Sequence, residues 1–135
     1  MKTLFSLLAL ALLAAPASAA QEPLPLAKLC DLADVVVVGE VASVQSHWAP
    51  GARAAIERHA WVVVEGSAGG VEVHAPGGTV DGLSHHVEHA AELAIDARYL
   101  LFLRSAGDHW IVVGGEQGAH AVHGDLDPAE VCHAN

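Results

Sequence analysis

The sequence predicts an all-β domain: a small OB-like barrel, closed or partly open, of five or six strands, with a short helix near each end of the mature chain. Three observations carry this. Short valine-rich or alternating runs recur along the chain, Gly-rich turns separate them, and no long helical-period run stands between them as a crossover. A two-sheet sandwich is the alternative architecture.

The chain opens on Met1-Lys2, an apolar run from Leu4 to Ala15, and then Pro16-Ala17-Ser18-Ala19-Ala20. A basic start, a short hydrophobic segment and an Ala-x-Ala site describe a secretory signal peptide over residues 1–19, with one domain over residues 20–135. The run is too short and wrongly flanked for a membrane span. The expected location is therefore secreted or periplasmic, with no stable membrane insertion once the leader is cut.

Loss of Lys2 leaves five basic against sixteen acidic side chains, a net charge of −11. Nucleic acid needs a basic footprint and is excluded as a partner; anionic membrane surfaces are excluded for the same reason. The acidity itself reads as solubility. Cys30 and Cys132 are the only cysteines. In an oxidising compartment an even pair predicts a disulfide; two buried free thiols are the alternative.

Leu26 to Ala33 places apolar residues at 26, 29, 30 and 33, the spacing of a short amphipathic helix. Val35 to Val44 is a strand, with Gly39 expected to mark a bulge or sharp bend. Trp48 to Ala52 reads as a turn. Ile56 to Glu65 alternates: Ile56, Arg58, Ala60, Val62 and Val64 face inward, with the Arg58 head reaching water, and Glu57, His59, Trp61, Val63 and Glu65 face out. Gly66 to Gly70 is a hairpin turn, and Val71 to Ala75 a strand with Glu72 and His74 facing solvent. Pro76-Gly77-Gly78 ends it. Tyr99 to Leu103 is the strongest strand signal, Ser105 to Asp108 a turn, and Trp110 to Val113 and Ala119 to Val122 are strands. Asp127-Pro128-Ala129-Glu130 has the capping residue, proline and acid of a helix start, which would carry Cys132 toward the N-terminal helix.

Ala33-Asp34-Val35-Val36-Val37-Val38-Gly39-Glu40-Val41, the turn Pro76-Gly77-Gly78-Thr79-Val80-Asp81-Gly82, the strand Leu100-Leu101-Phe102-Leu103 and the run Val113-Gly114-Gly115-Glu116-Gln117-Gly118 occur in an order that resembles a family of small exported bacterial domains of unknown function. The resemblance covers nearly all of the mature chain. It implies an OB-type barrel, similar in outline to the N-terminal domain of tissue metalloproteinase inhibitors, and it supplies no catalytic residues. The chain departs from the family pattern at His89, Ala91 and Leu93, at Asp96-Ala97 and at Ala119-His120. The binding that the family performs is thereby open to change in this copy.

His85-His86-Val87-Glu88-His89 matches the inverted zinc-protease pattern, in which a helix puts both histidines on one side and the glutamate acts as general base. A Gly-Gly turn closely precedes the segment and a strand soon follows it, and the family resemblance implies strand and loop here, so a metal-dependent hydrolase on His85, Glu88 and His89 is the minor expectation. A non-catalytic zinc or copper site on His85, His86, His89 and Glu88 is a second, since imidazole suits such ions; a solvated loop that happens to carry histidine is its competitor. His74, His109, His120, His123 and His133 are further donors that the fold can bring in. No serine lies in a nucleophile elbow, and no glycine run has phosphate-binding spacing. Trp48 and Trp61 are read as a contact patch for an unknown protein or small ligand. The main expectation is thus a secreted or periplasmic binding module, not an enzyme, without a required cofactor.

Overall fold

The computed structural model describes residues 21–51 and 55–133. The expected leader, residues 1–19, lies outside them. Strand β1 spans Val35–Trp48, β2 Ile56–Val64, β3 Gly70–Pro76, β4 Gly78–Val80, β5 Leu83–His85, β6 Arg98–Ala106, β7 His109–Val112 and β8 Ala119–Ala121; helix α1 spans Leu26–Leu32 and α2 Pro128–Val131.

Five strands close a ring in the order β1-β2-β3-β7-β6 and back to β1, and β8 lies beside β6. This is the expected OB-like barrel. Every contact between neighbours is antiparallel except β3–β7, which is parallel and pairs only Val73 with Trp110 and His74 with Ile111. That two-pair seam is where the barrel is least closed.

β1 makes closure possible. Its first part, Val35 to Glu40, pairs with β6, and its second part, Gly39 to Trp48, pairs with β2. Gly39 pairs on both sides, and a Cβ there would overlap Val62 Cγ1 and stand 2.9 Å from the Val63 carbonyl oxygen. The glycine is therefore required by close approach of β2. Of the two expectations for Gly39, the bulge lies elsewhere, as a register shift between Val41 and Ser43, and the bend fits the passage of β1 from β6 to β2 at Gly39. The shift resets the alternation, so that Val41 and Val44 both pack on the barrel core although they are three residues apart. β1 also runs on to Trp48, which pairs with Ile56; the predicted turn begins only after it.

The interior holds Val41, Ala60, Val62, Val73, Leu101 and Leu103. A second cluster, Leu29, Val38, Leu100, Phe102 and Val113, lies on the other side of β1 and β6, with Cys30, Val131 and Cys132 packed against it. Leu100 to Leu103 is consequently buried on both faces, which is why it reads as a continuous apolar run. Leu29 of α1 is buried, but Leu26, expected on the same buried stripe, is exposed. The Asp127 side chain accepts from the Ala129 N–H at 2.9 Å and caps α2, whose first residue is Pro128. Cys30 and Cys132 form the expected disulfide, Cα–Cα 5.7 Å.

Between β3 and β6, where a turn over residues 76–82 and a crossing segment are expected, lies a hairpin. β4 and β5 pair Gly78 with His85 and Val80 with Leu83, around Asp81 and Gly82 at φ 51° and 77°. Asp-Gly with both φ positive is the two-residue turn that matches strand twist.

Candidate metal centre

Four histidines form a column across four adjacent strands of the outer barrel wall. His47 of β1 lies 4.4 Å from His59 of β2, ring centre to ring centre; His59 lies 3.6 Å from His74 of β3; His74 lies 3.7 Å from His109 of β7. The central pair is stacked at an interplanar angle of 1°. Strand geometry produces this directly. His59 and His74 are opposite one another in the β2–β3 register, and side chains of such a pair share one face. His47 pairs with Glu57 and so sits diagonally from His59.

Each central strand carries the same tripeptide pattern, Glu57-x-His59 and Glu72-x-His74, so each glutamate shares the face of its own histidine. Antiparallel pairing with the two histidines opposite sends the glutamates to opposite sides of the stack. Glu57 Oε1 is 2.8 Å from His59 Nε2 and 3.8 Å from His74 Nδ1. Glu72 Oε1 is 3.3 Å from His59 Nδ1 and 3.2 Å from His74 Nε2. Both imidazole edges of the stack thus face a carboxylate.

Glu57, His59 and His74 each offer a donor atom, all within 4.8 Å of one another, and they are the only such group of three among the described residues. Two imidazoles and one carboxylate are a ligand set used by zinc, with metal–donor distances of about 2.0–2.2 Å. The side chains are partly buried, His74 to 14% exposure, which weakens competition from water. One geometric point governs loading. A ring nitrogen binds a metal in the ring plane, and parallel rings 3.6 Å apart would leave a shared ion about 1.8 Å out of each plane. One ring must turn out of the stack for both to coordinate.

The column ends on an acid. His109 Nδ1 lies 2.8 Å from Asp108 Oδ1, and this hydrogen bond holds the Asp108 carboxyl below its ordinary value. Elsewhere, Glu65 and Arg98 form a two-pronged pair that ties the end of β2 to the start of β6; hydrogen bonding from Arg98 lowers the Glu65 carboxyl, and Glu65 raises the Arg98 guanidinium.

The histidine-rich motif is distributed differently. His85 ends β5, His86 and Glu88 are exposed, and His89 sits in a turn at φ 60° with Nδ1 2.9 Å from Glu116 Oε1. The segment forms no helix, so His85 and His89 lack the one-sided presentation of a zinc protease. His85 does open on a hollow of about 220 Å³ that Glu57, His74 and His109 also line. Trp48 and Trp61 are both exposed, but they do not make one patch. Trp48 pairs with Ile56, which faces the core, whereas Trp61 is on the outward set with His59. Trp61 instead lies over Gly70, beside exposed Val63.

The reading of the sequence put Glu57, His59 and Glu72 on the outward face and missed what register does with them. His74 was expected to face solvent; it is covered on both sides by other imidazoles. The available signal was the repeated Glu-x-His in two strands joined by one hairpin loop.

No family model, curated protein or solved structure matches the chain.

Proposed function

We propose that this protein is a non-catalytic binding domain of an oxidising compartment, secreted or periplasmic, and that its ligand is a divalent transition metal held by Glu57, His59 and His74. The observation that carries the reading is the set of three donor atoms within 4.8 Å of one another on rigid neighbouring strands. Imidazole-rich sets favour zinc, copper or nickel over calcium or magnesium. Export is supported by the Cys30–Cys132 disulfide, since such bonds persist in oxidising surroundings, and by the leader pattern of residues 1–19. No helix among the described residues is long and apolar enough to cross a membrane. The resemblance to small exported bacterial domains, and in outline to the N-terminal domain of metalloproteinase inhibitors, belongs to the same proposal; the ring of strands supports its barrel.

Elemental analysis and calorimetry on protein purified without a histidine tag test the metal. One equivalent of zinc or copper is expected to bind wild-type protein and a His85→Ala/His89→Ala variant alike. His59→Ala/His74→Ala is expected to lose it by at least about a hundredfold in affinity, the scale of two lost ligands. Wild-type protein that takes up neither ion, with an unchanged melting temperature on zinc addition, would sink the reading. Retention in His59→Ala/His74→Ala and loss in His85→Ala/His89→Ala would move the site to the hairpin.

A further inference from the structure

The last ring of the histidine column, His109, stands where a further metal donor would be placed. His74 is opposite Ile111 in the parallel β3–β7 register, and His109, two residues before Ile111, shares that face. Its ring lies 3.7 Å from that of His74 at an interplanar angle of 11°. Glu57, His74 and His109 line one hollow of about 220 Å³, so two of the three metal donors share that space with His109.

Asp108 decides which nitrogen of His109 can ligate. Its side chain is a carboxylate at neutral pH and has no proton to give, so in the 2.8 Å contact His109 Nδ1–H donates to Asp108 Oδ1. In the neutral ring Nε2 then carries a lone pair, the form that binds a metal. A carboxylate accepting from the far nitrogen is the common support of a zinc-bound imidazole: it fixes tautomer and ring plane and makes the ligating nitrogen more basic.

His109 also bears on how the stack opens. His59 and His74 each have a ring on both faces, whereas among the described residues His109 has one ring neighbour and the hollow beside it. Swinging His109 out of the column uncovers one face of His74 and gives that ring room to turn away from His59.

We propose that His109 Nε2 is a fourth protein ligand of the metal held by Glu57, His59 and His74, with Asp108 as its supporting carboxylate. This rests on the metal reading above and deepens it. Three protein donors leave a position open to substrate, as in catalytic zinc sites, whereas four close the site. With His109 in place the wall holds its ion without acting on a bound molecule.

Long-range proton–nitrogen spectra of the histidine rings, recorded as zinc chloride is added to isotope-labelled wild-type protein, test the ligand directly. His109 Nε2 is expected to shift with the ring nitrogens of His59 and His74, saturating at one equivalent. In calorimetry His109→Phe, which keeps a ring to stack on His74 but has no nitrogen, is expected to bind zinc about tenfold or more weaker than wild type. Asp108→Ala is expected to lose about tenfold. Zinc bound by His109→Phe as tightly as by wild type would overturn the proposal and leave the three-donor reading standing. Weaker binding in His109→Phe without a metal shift at His109 Nε2 of wild type would make His109 a packing residue, and would overturn it too. Wild-type protein that takes up no zinc would overturn both readings.

Discussion

A histidine on an exposed strand position carries little information by itself. At His74 the difference is made by two ring neighbours at 3.6 and 3.7 Å, two carboxylates at its edges and an unsatisfied Nε2. Gly39 shows the same dependence on neighbours in the other direction. Nothing about its own backbone demands glycine; the approach of Val62 and Val63 does. Gly39→Ala is therefore expected to cost about 1–3 kcal/mol by overpacking, read as a lowered melting temperature, because β2 must move or β1 must flatten. An unchanged melting temperature would mean that β2 does not approach this closely. Glu65 couples stability to pH through Arg98. Its carboxyl is lowered from the ordinary value of 4.5 by its hydrogen bond from Arg98. The stabilisation this gives is fully present above that ordinary value and is lost as pH falls through the lower folded one. A Glu65→Gln variant should therefore melt below wild type at pH 7, and the gap should narrow as pH falls below 4.5. A gap constant from neutral pH to about pH 3 would show that the pair does not act through the carboxylate charge.

At the scale of elements, the β2–β3 hairpin is the unit that builds the site. Each strand supplies one Glu-x-His on its outward face, and only the pairing His59 with His74 brings the two together. Shifting the register by one residue would send one histidine into the core. The outward faces of β2 and β3 were legible from period-two alternation, including Glu57, His59, Glu72 and His74. Their stacking was not, because alternation reports the face of a residue and not its partner. The motif at residues 85–89 illustrates the converse: its protease spacing has meaning on a helix, and the strand and loop expected there are what β5 and the turn at His89 supply. A hairpin reading of Asp81-Gly82 was available in the sequence and places His85 at a strand end.

For the whole molecule, the ring of strands and the disulfide act on different parts of the chain. The ring joins the strands from β1 to β7, and Cys30–Cys132 joins segments 102 residues apart that otherwise rest on one apolar cluster beside β1 and β6. Closing so long a loop restricts the unfolded chain by up to about 4–5 kcal/mol in the chain-entropy model. Reduction with a phosphine, or Cys30→Ser/Cys132→Ser, is expected to lower the melting temperature markedly while leaving metal uptake by the outer wall intact. Loss of metal binding along with the disulfide would show that the wall is not independently held.

The sequence by itself determined where the main strands of the ring run, the two faces of β2 and β3, that Asp127 starts a helix and which cysteines meet. These follow from local rules: alternation, turn chemistry, capping and parity. Tertiary structure alone decided that Val62 and Val63 press on Gly39, that β3 and β7 meet over only two pairs, and that His59 stands opposite His74. The physical reason is common to all three. A strand's sequence specifies its two faces, but its edges are the same peptide groups everywhere, so partner and register are set by the bulge, the loops and the packing of the closed ring.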